Sequence, residues 1–177
     1  MKGWESDKAW TDFFLPEIKQ ILSEYLAPRL FCASPIEEDR EHNSDLIVLR
    51  MEPVRIACRI RKNEFLAKFG GQFTIRSIRM SGQETELAKI LKGWGDYLFY
   101  GFADIENCFL EAWHICDLRV FRLEFHRLSL ARPKGHWPPK EIPNTDGSSS
   151  FIPFSLADFP NELIIRRKSP EYALPQD

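Results

Sequence analysis

The chain has no uninterrupted apolar run of the ~18 residues that a membrane-spanning helix needs. Its opening residues, Met1-Lys2-Gly3-Trp4-Glu5-Ser6-Asp7, do not follow the basic-then-apolar layout of a secretion signal. A soluble protein that stays in the cytoplasm and makes no membrane contact is expected. Cysteine is sparse: Cys32, Cys58, Cys108 and Cys116 form no C-x-x-C pair and have no histidines at zinc-ligand spacing, so they read as reduced, mostly buried thiols. The four histidines, His42, His114, His126 and His136, are scattered, and no Ser–His–Asp or Cys–His constellation can be assembled from them. There is no phosphate-binding glycine loop and no dinucleotide fingerprint, which leaves no organic cofactor to expect. No internal repeat is visible. A net charge of −2 gives no global case for a polyanionic partner.

The 177 residues suit one domain with a real core. Their charge is unevenly placed. Residues 1–49 carry 5 Lys/Arg against 10 Asp/Glu, residues 50–92 carry 10 against 4, and residues 93–177 carry 9 against 12. A basic middle flanked by acidic segments points to an anionic partner, or to acids of the first segment pairing with arginines of the second.

From Trp10, the apolar positions Phe14, Ile18, Ile21, Leu22 and Tyr25 follow a helical period, with Pro16 either in the first turn or at a kink. A short strand at 30–33 and an acidic loop at 37–44 follow. Asp45–Arg50 reads as a buried strand. Val54–Arg61 alternates, with Val54, Ile56, Cys58 and Ile60 on one face and Arg55, Ala57, Arg59 and Arg61 on the other. Gly70-Gly71 turns the chain into Phe73–Arg79, and these three segments predict a meander. Ser81-Gly82-Gln83-Glu84 has capping-box spacing and opens a helix that Gly93 ends. Tyr97–Ala103 is a central strand, Phe109–Cys116 a helix or a strand, and Leu118–Leu128 a long strand. Residues 131–150, rich in proline and small polar residues, predict a long loop or arm. Phe151–Phe154 and Leu163–Ile165 predict edge strands. The class expected is α+β, with an α/β-type core at 1–130 and a proline-rich arm and edge strands of the same domain at 131–177.

The order helix, three strands, helix, strand, with Asp45 on the second strand and charged residues at i and i+2 on the third, resembles the PD-(D/E)XK nuclease superfamily. Asp45-Leu46-Ile47-Val48, Ile56-Ala57-Cys58-Arg59-Ile60-Arg61, Phe73-Thr74-Ile75-Arg76, Thr85-Glu86-Leu87-Ala88-Lys89-Ile90 and Tyr100-Gly101 look like the small nuclease-like proteins encoded in phage and prophage genomes. The likeness covers roughly residues 8–127. It implies a restriction-endonuclease-like mixed sheet flanked by helices, and a bacterial or phage-infected host cell. It also implies a site in which two acids hold Mg²⁺ or Mn²⁺ and a lysine stabilises charge at phosphorus. Asp45 takes the metal role and Arg61 the place of the lysine. Arg59 stands where the second acid belongs and cannot ligate a cation. Catalysis would then need a migrated carboxylate, Glu17 or Glu86.

The expectation is a nucleic-acid-associated protein on a catalytically degenerate nuclease scaffold. Arg55, Arg59, Arg61, Arg76 and Arg79 would meet DNA or RNA phosphates, because guanidinium offers a planar two-pronged donor. The alternatives are an active nuclease using Asp45, Arg61 and Glu86, and a protein-interaction module that holds a partner or a second copy of itself through residues 131–150.

Overall fold

The computed structural model describes residues 2–25, 31–33, 46–48, 54–132 and 135–169, with side chains from residue 9 on and outside 31–33 and 46–48. Asp45 lies outside the described residues. The chain forms two compact units, Met1–Pro53 and Val54–Asp177.

In the first unit, helix α1 (Lys2–Tyr25) runs through Pro16, which contributes no N–H to the helical ladder. Phe14 and Ile18, one helical turn apart, are buried, and Trp10 packs edge-on against Phe14 with ring centres 5.2 Å apart. Strands β1 (Phe31–Ala33) and β2 (Leu46–Val48) pair antiparallel, Phe31 opposite Val48.

The second unit begins with β3 (Ile56–Arg61) and continues through a 3₁₀ turn at Asn63–Phe65 and the short helix α2 (Leu66–Phe69) to β4 (Gln72–Arg79). Helix α3 (Glu86–Leu91), strands β5 (Tyr97–Ala103) and β6 (Leu110–Asp117), and helix α4 (Leu118–Ala131) follow. The chain ends its described course in β7 (Ile142–Pro143), β8 (Ser149–Ser155) and β9 (Ile164–Lys168). Strands β3, β5, β6 and β9 form one sheet in that order. It is mixed: β3 runs parallel to β5, and β6 is antiparallel to both of its neighbours. Strands β4, β8 and β7 form a second, antiparallel sheet with β8 in its middle, so Phe151–Phe154 is not the edge strand expected from the sequence. The α+β class and the mixed sheet expected from the sequence are both present.

Three further expectations are corrected. The predicted meander of three neighbouring strands does not form among the described residues: β2 pairs with β1, β3 with β5, and β4 along its length with β8. Phe73 and Ile75, both fully buried, place this second sheet over a cluster that includes Leu98, Tyr100, Phe121 and Phe154. Residues 118–128 are a helix, not a strand. Leu118, Phe121, Phe125 and Leu128 are its buried residues, at spacings of one helical turn, and the Asp117 carboxylate caps it by accepting from the Arg119 N–H at 2.8 Å. The Ser81 capping box is not used. Thr85 caps α3 instead, its hydroxyl accepting from the Ala88 N–H, while Glu84 pairs with Lys92.

The proline-rich stretch also folds back. Trp137 is buried among Phe125, Phe154 and Phe159, with ring centres 5.7–6.0 Å away, and its indole N–H donates to the Phe125 carbonyl at 3.2 Å. The Arg132 guanidinium lies over the same ring and pairs with Asp158 at 2.6 Å, and β7 is zipped onto β8. Removing a buried indole leaves a cavity worth about 3–5 kcal/mol. Trp137→Ala is expected to lower the urea-unfolding free energy by that amount; an unchanged midpoint would mean that the stretch is not part of the core.

Candidate nucleic-acid interface

Period-two alternation along β3 sets Arg59 beside Ala57 on the face that looks onto the core. The guanidinium does not reach solvent freely. Its Nη2 donates to Glu86 Oε2 at 2.6 Å, and its Nη1 donates to the Thr74 carbonyl at 3.0 Å and to Thr74 Oγ1 at 3.1 Å. The Thr74 hydroxyl is in turn 3.2 Å from the Tyr100 hydroxyl. Glu86 Oε2 also accepts from the Arg76 backbone N–H at 3.1 Å. Both charged side chains are only 22% exposed. Arg59 thus ties β3 to β4 and to the first turn of α3, and its charge is balanced where it sits.

Around this pair lies a cleft of about 360 Å³, lined by Arg59, Arg76, Arg79, Lys89, Glu86 and Trp94 on its polar and aromatic side. Four cations face one carboxylate. Arg79 donates from Nη1 to Gln83 at 3.1 Å, while its buried Nε has no hydrogen-bond partner. That imbalance gives the lining of the cleft a net positive charge.

Of the residues expected from sequence, Arg59, Arg76, Arg79 and Glu86 come together here. Arg61 does not join them. Its guanidinium packs over Phe65 at 4.7 Å and Phe151 at 6.0 Å, so the expected grouping of Arg61 with Glu86 as catalytic partners is not formed. Arg55 stands over the Trp94 ring at 5.6 Å. Its backbone N–H donates to the Asp96 carboxylate at 2.7 Å, and its carbonyl accepts from the Asp96 N–H at 2.8 Å. Glu17 lies on α1 in the first unit. Trp94 and Lys89 carry more of the site than the sequence reading gave them; the Gly93-Trp94-Gly95 turn directly after a helix was the available signal.

Glu86 is a poor fit for a divalent cation: its Oε2 accepts from both Arg59 and the Arg76 N–H, and a cation placed on the carboxylate would sit against the guanidinium. Among the described residues no group of three His, Cys, Asp or Glu side chains converges as a metal site, and no helix is long and apolar enough to cross a membrane. The described thiols Cys58, Cys108 and Cys116 are free; burial pushes Cys58 up to about 11 and Cys116 further, which keeps both protonated and inert.

A larger cavity, about 1810 Å³, opens beside His114. Its wall mixes Asp104, Glu106 and Glu111 with Arg166, Arg167 and Lys168, without the one-sided charge of the smaller cleft. His114 itself is buried, stacks on Tyr100 at 5.4 Å, and has no partner for Nε2.

No family model, no curated protein and no solved structure matches the chain. The likeness to nuclease-like phage proteins therefore rests on the residues quoted for it.

Burial, with a smaller contribution from the Arg167 charge, holds His114 down from 6.5 to about 4. Between those values the unfolded chain binds a proton at this residue that the folded chain does not, so stability rises with pH across the window and is lost as pH falls through it. The loss amounts to about 3 kcal/mol. His114→Phe is expected to be less sensitive than the wild type, by about that amount, to a drop from pH 6.5 to pH 4 in denaturant titrations; equal sensitivity in both proteins would place the acid-labile group elsewhere.

Proposed function

We propose that the protein binds nucleic acid through the Arg59–Arg76–Arg79–Lys89 cleft, on a nuclease-like scaffold of the phage and prophage kind whose catalytic metal site is lost. The observation that carries this reading is the four-to-one excess of cations over carboxylates in one concave site. Arg76 and Arg79 come from β4 and Lys89 from α3, two elements that the half-buried Arg59–Glu86 pair holds in register. Such a cleft orients phosphates without reading sequence. Arg59 in place of an acid, and Glu86 turned to Arg59, both speak against the alternative of a working Mg²⁺ or Mn²⁺ nuclease. The burial of Trp137 and the pairing of β7 speak against residues 131–150 as a free arm for a protein partner or second copy.

Binding of labelled DNA and RNA oligonucleotides as a function of salt tests the reading. Affinity is expected to fall linearly on a log–log plot as counterions are released, with the slope reduced by about 2 in Arg79→Ala/Lys89→Ala. The same oligonucleotides are expected to stay intact when Mg²⁺ or Mn²⁺ is added. Salt-insensitive binding, or none, sinks the proposal; cutting that disappears in Asp45→Ala would restore the nuclease.

A further inference from the structure

At the rim of the same cleft a large indole is held outward. Helix α3 ends at Leu91 and the chain turns through Gly93-Trp94-Gly95. Both glycines take left-handed backbone angles, φ +96° and +82°, and a Cβ on Gly95 would stand 3.1 Å from Leu118 Cδ1. The turn is fastened from several sides. The Gly93 N–H donates to the Ile90 carbonyl at 2.9 Å and the Trp94 N–H to the Lys89 carbonyl at 3.0 Å. Arg122 Nη1 donates to the Gly95 carbonyl at 3.1 Å, and the Leu118 N–H donates to the Asp96 carbonyl at 2.9 Å.

Trp94, carried on this braced turn, is 58% exposed. Ile90 and Leu118, which line the same cleft, are buried, yet the largest side chain of the turn is left in water. The Arg55 guanidinium stands over the ring at 5.6 Å and adds a fifth cation beside it. An aromatic face next to a cationic cleft is the arrangement that holds an unpaired nucleotide, because every base has a π-face to stack and a phosphate attached to it. A base inside a duplex has its faces covered by its neighbours and cannot stack on a side chain without being pulled out.

We infer that the cleft selects single-stranded nucleic acid: one unpaired base stacks on Trp94 while the adjoining phosphate sits among Arg76, Arg79 and Lys89. This rests on the nucleic-acid reading above and adds strandedness to it. It also gives separate roles to the two halves of the site. The cations supply salt-dependent affinity common to any polyanion, and the indole supplies the preference for exposed bases.

The test compares three labelled ligands of equal phosphate number: a single-stranded oligonucleotide of about a dozen nucleotides, the same strand made abasic, and a duplex. Each is titrated by fluorescence anisotropy against the wild type, Trp94→Ala and Trp94→Phe. The wild type is expected to bind the base-bearing single strand tightest. Trp94→Ala should weaken that complex by about 5- to 150-fold, as loss of one stacked base requires, and leave the abasic strand and duplex unchanged. Trp94→Phe, which keeps a ring, should recover most of the loss and also shows that the turn still folds. Equal affinity for all three ligands, or no effect of Trp94→Ala on the single strand, overturns the inference while leaving nucleic-acid binding in place. Failure to bind any of the three overturns both.

Discussion

The pair formed by Arg59 and Glu86 ties together the two sheets and the helix that frame the cleft. A guanidinium on an interior strand face is costly to bury unless its donors are met, and here they are met by a carboxylate from α3 and by a carbonyl and a hydroxyl from β4. One interaction therefore joins the parallel edge of the four-stranded sheet to the second sheet and to a helix end. It also takes Glu86 Oε2 out of chemistry that needs a free carboxylate oxygen. The other charged side chains that line the cleft, Arg76, Arg79 and Lys89, are all positive.

The aromatic core behind the site keeps this geometry fixed. Phe73 stacks on Phe154 at 5.6 Å, Phe121 meets Phe154 edge-on at 5.1 Å, and Phe159 and Trp137 close the cluster. Phe73 lies next in sequence to Thr74, the residue that accepts from Arg59, so the packing of the two sheets positions the hydrogen-bond acceptors of the ion pair. A second constraint comes from Asp96, whose carboxylate and backbone clamp Arg55 at the start of β3 and hold the neighbouring Trp94 turn in place.

Much of the sheet was legible locally. Strands β3, β5, β8 and β9 stand in the sequence as apolar or alternating runs, and Gly93 as a helix terminator takes the backbone angle that role demands. The segment 118–128 misled because its valine and phenylalanines favour strands, although Leu118, Phe121, Phe125 and Leu128 already had helical spacing and Asp117 stood at the cap. The departure of β4 from β3 had no local sign, since its partner β8 lies far along the chain and pairing at that separation leaves no trace in either segment alone. Of the site, the arginines and Glu86 were readable as charges, but which of them would converge was not. Arg61 and Arg59 share a strand face, yet one packs on Phe65 and the other pairs with Glu86. The Gly93-Trp94-Gly95 turn stands in the sequence, but the exposure of Trp94 at the rim of the cleft depends on the fold around it.

Glu86→Gln measures the central claim most directly, because it removes one negative charge from the cleft with little change of shape. If Glu86 serves only as the counterion of Arg59, then oligonucleotide affinity in the presence of a chelator should rise, and Arg59 should join the other cations in holding phosphate. A fall in affinity, or binding that appears only with a divalent cation in the wild type and is lost in the variant, would contradict the account and return Glu86 to a metal site.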